Sequence, residues 1–400
     1  EKHGKNPVLF NDTGMWWRKK YVSWIKQALK QSVSGHKAIA KELLDKGPWD
    51  LFLMGFGETH TVGHDLYNYS QPDHPLYPHL TDNGKAPDPV LETYEDIDKA
   101  IGEIIAEADE DTYVMCFSVH GMGPNFADML SMAFLPEFLY RFSFPGKVAL
   151  SSGEVGSPPP SMVTKPIRNA WPGQIWGEMN EPNPIRRFWR TWTHKKLLRG
   201  KKHGLWSPYA LTQPPIQKDI DLGWMPAIWY SDLWPEMKAF AIPGYTNGHI
   251  RINLKGRESS GIVEPADYDS LCEQIIDMVY KLTDARTGKP IAKQVVRTRQ
   301  HASEDDPKLP DADIVVIWNE AVTDVVDSPD LGRVGPLTHA RAGSHLGEGF
   351  MVLAGPDIPA GYEFEDMQAM DLAPTILSLM DAPLPDYLDG HSVLPSKVLS

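Results

Sequence analysis

The chain has 400 residues, 42% hydrophobic and 23% charged, an ordinary globular composition with length for one large core plus an insertion, or for two domains. A formal net charge of -14 argues against a general nucleic-acid binder, because phosphate contacts need clustered Lys and Arg, and an anionic substrate would need a local positive centre. No run of about eighteen apolar residues offers a membrane span, and two cysteines, Cys116 and Cys272, exclude a disulfide framework.

A cytoplasmic location is expected on these grounds. The chain opens at Glu1 rather than Met, which leaves room for a leader or a longer upstream segment. From Thr13 to Lys46 the spacing of Trp17, Tyr21, Trp24, Ile25 and Leu29 predicts a helix, stopped by Gly47 and Pro48. Asp50 to Gly57, DLFLMGFG, is a short apolar run bounded by turn signals and is expected to be a buried strand of a parallel sheet. Pro87, Asp88 and Pro89 then open a helix whose apolar face is Tyr94, Ile97, Ile101 and Ile105. Further strands are expected at Thr112 to Ser118, Ala312 to Trp318 and Gly349 to Ala354, alternating with helices as in an α/β fold.

The stretch Ser151 to Pro235 differs: it is rich in Pro, holds most of the thirteen Trp and carries the basic run RRFWRTWTHKKLLRGKKH. It reads as an insertion, either a cap over the active site or a Trp-anchored layer with a solvated basic face. The domain division expected is a helical segment over 1–48, a first part of the core over 49–150, an inserted region over 151–260 and a second part of the core over 261–400.

Ligands of open α/β sheets bind beyond the carboxyl ends of strands. Three His-bearing segments are expected there: Glu58-Thr59-His60-Thr61-Val62-Gly63-His64-Asp65, Ser118-Val119-His120-Gly121-Met122-Gly123, and Ala342-Gly343-Ser344-His345. Neutral imidazole is a common zinc ligand, and three such nitrogens leave a fourth position open for chemistry. The competing reading is that the rings satisfy one another and nearby backbone at a polar sheet edge. Glu58 and Asp65 are the nearest candidates for a general base or for orienting the ligands, and His120 is a candidate to hydrogen-bond a substrate oxygen.

These segments, in this order, resemble the alkaline phosphatase superfamily in its type I phosphodiesterase/nucleotide pyrophosphatase-like branch. That superfamily places Asp-x-x-x-His after one core strand, Asp-His-Gly after another and Gly-x-His before a late strand, together ligating two metals. Asp371-Leu-Ala-Pro-Thr-Ile-Leu and Asp389-Gly390-His391-Ser392 are similar to a further signature shared with sulfatases, read physically as a capped helix and a turn. The resemblance implies an alkaline-phosphatase-like fold, with a mainly parallel central sheet, helices on both faces and an inserted cap. It implies a metal-dependent hydrolase of phosphate esters or diesters, with a sulfate-ester hydrolase and a noncatalytic binding or assembly protein as alternatives. His60, His64 and His345 would hold one divalent metal, zinc by ligand type, and His120 would belong to a second site.

The departures are equally specific. His60 stands where the family has Asp, Val119 stands where it has the second Asp, and Val cannot ligate. The family's first-strand Asp and its Ser or Thr nucleophile have no convincing counterpart before Trp49; Asn11-Asp12-Thr13 imitates them but reads better as a helix cap. The chain is then either a piece lacking that segment or a diverged member without the phosphotransfer chemistry. The expected partners are a small anionic ester, and either a second copy of the chain or the missing N-terminal segment.

Overall fold

The computed structural model describes residues 3–8, 16–80, 88–150, 153–164, 226–244, 246–339, 341–364 and 366–394, with Ile185. Asn11-Asp12-Thr13, the basic run and most of the expected insertion lie outside the described residues.

Helix α1 (Lys19–Leu44) buries Tyr21, Ile25, Ala28 and Leu29, and α2 (Glu58–Ser70) meets that stripe with Val62 and Leu66. The short α3 (Tyr77–Leu80) follows. Helix α4 (Pro89–Ile105) starts where Asp88 accepts the Leu91 N–H at 2.9 Å with Pro89 in the first turn, and it buries Ile97 and Ala100 beside Val33 of α1. Lys26–Glu92, Lys37–Glu103 and Lys41–Glu107 pair along α1 and α4 at one constant offset, so these helices run in the same direction.

Strands β1 (Val114–Ser118) and β2 (Gly121–Pro124) come next, then α5 (Ala127–Met129), a π turn Leu130–Phe134 and α6 (Leu135–Ser143). Beyond residue 226 lie β3 (Ala239–Ile242), β4 (Gly248–Ile252), α7 (Tyr268–Tyr280), β5 (Thr283–Asp284), β6 (Ala292–Arg297), β7 (Ile314–Trp318), β8 (Val326–Ser328), β9 (Gly332–Val334), β10 (Gly343–Leu346), β11 (Phe350–Ala354) and α8 (Leu372–Leu379). The largest core lies around a four-stranded sheet ordered β3-β4-β7-β6. Ile250, Ile252, Ile314 and Val316 from its central strands join Phe134, Phe138, Leu271 and Ile275 from the helices.

The chain is mixed α/β, but its sheets are small and every pair of named strands is antiparallel, so the expected parallel central sheet is not what the described strands form. Apolar runs report that a strand is buried on both faces and carry no information on the direction of its partner. The expected strand over 50–57 joins no ladder among the described residues, and Leu51 and Leu53 are 44% and 67% exposed. Only Phe56 of that run reaches a core, packing beside Val33 and Ile97.

One ribbon matters for the site. β1 pairs with β11 up to Ser118 opposite Phe350, and β2 pairs with β10 from Gly121 opposite Leu346. Between these pairs Val119 and His120 stand opposite three residues, 347–349, so the extra residue lies in the β10–β11 connection and His120 sits in the two-residue gap between the two ladders. Near the C-terminal end, Asp371 accepts the Gln368 and His391 N–H groups at 2.7 and 2.9 Å, which ties the turn at 389–392 to the start of α8.

The buried hub of the larger core is Asp313, fully inaccessible, which accepts both terminal nitrogens of Arg257 at 2.6 and 2.7 Å, the Tyr268 hydroxyl at 2.9 Å and the Ile252 N–H at 2.7 Å. Removing one side of such a pair leaves the other charge uncompensated. Asp313→Ala should lower unfolding stability by about 3–5 kcal/mol in chemical denaturation, while leaving the His cluster described below in place.

Candidate metal centre

Helix α2 begins at Glu58, so His60 and His64 stand one turn apart on the same helical face. His64 is 4% exposed. Its Nδ1 lies 2.8 Å from the Gly343 carbonyl, which can only accept, so Nδ1 carries the proton and Nε2 presents its lone pair. That Nε2 lies 3.2 Å from His60 Nε2 and 3.1 Å from His345 Nε2, and the three nitrogens all fall within 4.8 Å of one another. The arrangement can hold a metal ion.

What brings His345 here is the approach of β10 to α2. The Ala342 N–H donates to the His64 carbonyl at 2.9 Å, and a Cβ on Gly343 would stand 2.2 Å from the Gly63 carbonyl oxygen. Glycine is required at 343 because backbone opposes backbone. His120 enters from the short connection between β1 and β2: the Ser118 hydroxyl donates to the His120 carbonyl at 2.7 Å, and the His120 ring stacks on His345 with centroids 4.0 Å apart and planes 22° apart. Its Nδ1 donates to the Gly121 carbonyl at 3.1 Å, and its ring centre is 6.1 Å from that of His60.

All four histidines named from the sequence therefore come together. Glu58 and Asp65 are turned elsewhere. Glu58, 1% exposed, accepts the Ser32 hydroxyl and lies 2.9 Å from His36 Nδ1, and Asp65 accepts the Tyr21 hydroxyl; all three partners belong to α1. At about 100° per residue, Glu58 and Asp65 share one stripe of α2 while His60 and His64 share another.

Sequence reasoning missed the bracket behind His345. Asn125 Nδ2 donates to Asp128 at 3.1 Å and to the Arg341 carbonyl at 3.3 Å, its N–H reaches the Ala342 carbonyl at 3.1 Å, and Ser344 hydrogen-bonds Asp128. The signal available was a lone Asp inside the apolar run FADMLSMAF. Burial pulls the His64 pKa down to about 3, with the Arg341 charge adding to it. Burial likewise lowers His345 to about 4, helped by His120, His60 and Arg341. Both rings are thus neutral, as ligation requires.

Burial has the opposite effect on Asp128, raising its carboxyl from 3.8 to about 6 against the pull of Arg341 and its hydrogen bonds. Between about pH 4 and 6 the folded chain holds a proton there that the unfolded chain has lost, so this group's contribution to stability is full below pH 4 and is lost as pH rises through 6. The histidines titrate in the other direction over part of this range. The difference between wild type and Asp128→Asn isolates the carboxyl: in urea titrations wild type should lose stability relative to the variant from pH 4 to pH 6.5, by on the order of 3 kcal/mol.

No curated protein and no solved structure matches the chain. The segment that carries His60, His64 and His120 does have a relative at the family level, with His345 lying outside it. Residues 5–151 match the family model of the type I phosphodiesterase / nucleotide pyrophosphatase family, part of the alkaline phosphatase superfamily.

Proposed function

We propose that the chain is a zinc-dependent hydrolase of phosphate esters or diesters, and that His60, His64 and His345 hold the ion. The observation that carries this is the spacing of the three nitrogens. Ligands at about 2.0–2.1 Å from a tetrahedral zinc stand about 3.3 Å apart, and the His64–His345 and His64–His60 separations, 3.1 and 3.2 Å, are close to that value. Mutual hydrogen bonding explains the spacing less well. His64 Nε2 has a single lone pair, already without a proton to give, and it faces two nitrogens, only one of which can donate to it. Three nitrogen donors favour zinc or a similar transition ion over magnesium, which prefers oxygen.

The family match supports phosphate-ester chemistry for this site. A zinc ion held there supplies Lewis-acid polarisation of a phosphoryl oxygen and of water. The chain's own residues do the rest. The Gly343 carbonyl fixes the His64 tautomer, the Gly121 carbonyl orients His120 where it stacks on His345, and His120 Nε2, with its proton on Nδ1, can accept a hydrogen bond at the rim of the site. Glu58 and Asp65, engaged with α1, serve this reading as supports of α2 rather than as bases.

The purified chain should carry near-stoichiometric zinc by elemental analysis, and His64→Ala should carry little. Zinc-loaded protein should turn over bis(p-nitrophenyl) phosphate, with kcat/KM reduced at least about a hundredfold in His345→Ala and abolished by chelation. Turnover of p-nitrophenyl sulfate in preference to the phosphodiester would move the assignment to sulfate esters. Zinc-loaded protein inert to both would leave a binding protein, and negligible zinc in wild type and His64→Ala alike would remove the metal site.

A further inference from the structure

Away from the histidines, the turn after β4, the start of α7 and the loop joining β6 to β7 surround a cavity of about 740 Å3, a volume in the range of small-molecule sites. The sequence brings basic side chains to it from the strand and its turn, GHIRINLKGRE, and carboxylates from the loop, Glu304-Asp305-Asp306 and Asp311. Three of the lining cations are spent within the fold. Arg257 donates to Asp313 at 2.6 and 2.7 Å, Arg251 donates to Glu258 at 2.7 Å, and Lys255 pairs with Glu264.

The fourth, Arg299, is only half engaged. It is 8% exposed, and its Nη1 donates to the Pro310 and Ala312 carbonyls at 2.6 and 2.8 Å, which ties down the loop. Its Nε and Nη2 bond to no described residue, and neither nitrogen is sealed from solvent. The Asp313 carboxylate, 4.0 Å from Nη1, already accepts from Arg257, Tyr268 and the Ile252 N–H. A charge this buried is ordinarily paired and hydrogen-bonded. Here the edge left unused, Nε with Nη2, is one that fits both oxygens of a carboxylate, and Arg299 lines the cavity.

We propose that this cavity binds a small carboxylate that also carries a cationic group, with the carboxylate on the Nε–Nη2 edge of Arg299 and the cation at the acidic loop. The charge of the lining selects for such a zwitterion. Asp269, Glu304, Asp305, Asp306 and Asp311 outnumber the four basic side chains, and the Asp305 carboxylate has no partner among the described residues, so a second negative charge on the ligand would meet repulsion. This site is separate from the histidine cluster and does not depend on the hydrolase reading. A purely structural Arg299, present only to hold the Pro310 and Ala312 carbonyls, is the alternative.

Calorimetric titration of 6-aminohexanoate and adipate into wild type and Arg299→Gln tests both halves of the assignment. Wild type should bind 6-aminohexanoate at least about tenfold more tightly than adipate, and Arg299→Gln should weaken 6-aminohexanoate binding at least about tenfold at unchanged Tm and unchanged zinc content. Wild type that binds neither compound, adipate bound as tightly as 6-aminohexanoate, or equal 6-aminohexanoate binding in wild type and Arg299→Gln overturns the proposal. If Arg299→Gln lowers Tm or does not fold, because Nη1 also ties the loop, wild type answers alone: 6-aminohexanoate should slow amide hydrogen exchange in peptides spanning 299–312, and unchanged exchange there overturns the site.

Discussion

The site depends on the close approach of two backbones. Where β10 begins, Gly343 lies against Gly63 of α2 with no room for a Cβ between them, and the same contact lets the Gly343 carbonyl accept from His64. Helix and strand rarely come so near when both carry side chains. Here the nearness brings a ring from each, His64 and His345, to 3.1 Å, and it fixes the proton on the side of the His64 ring facing away from them. The two-residue connection between β1 and β2 adds the fourth ring, His120, in the gap between the two ladders.

The four histidines were legible in the sequence because their signal is local. Each lies in a short polar segment beside an apolar run, which places it at the end of an expected strand whatever the partner of that strand. The carboxylates beside them were legible only as neighbours in sequence. Helical phase then separates them: Glu58 and Asp65 fall on the stripe that meets α1, where Ser32, His36 and Tyr21 take them up. A reading that gave Glu58–Asp65 as a loop after a strand had no phase to apply; one that starts a helix at Glu58 separates the two stripes at once.

The sheet was less legible, and for a different reason. VMCFS and FMVLA have the composition of strands, and both form strands, but they pair with each other in opposite directions across more than two hundred residues of chain. Composition cannot encode that partnership. The same holds for DLFLMGFG, identical in texture to a buried strand, which finds no ladder among the described residues and leaves Leu53 the more exposed of its leucines. Asn125, Asp128 and Arg341 were missed on the same ground, because each owes its importance to a contact with the segment before His345 or with the loop after β2.

Burial is distributed unevenly over the site, and this sets its direction. His64 is enclosed at 4% exposure, with its partner carbonyl behind it, while His60, His120 and His345 are only half-buried. The enclosed ring is the one whose tautomer is fixed by backbone, so it acts as the anchor, and the three at the rim define the open side. A small anion arriving from solvent would therefore meet the half-buried rings first and have the enclosed ring and the bracket of Asn125, Asp128 and Ser344 behind them. This order, a buried back with a partly open front, follows from the same Gly343–Gly63 contact, because that contact places the segment from Ala342 to His345 against one face of α2.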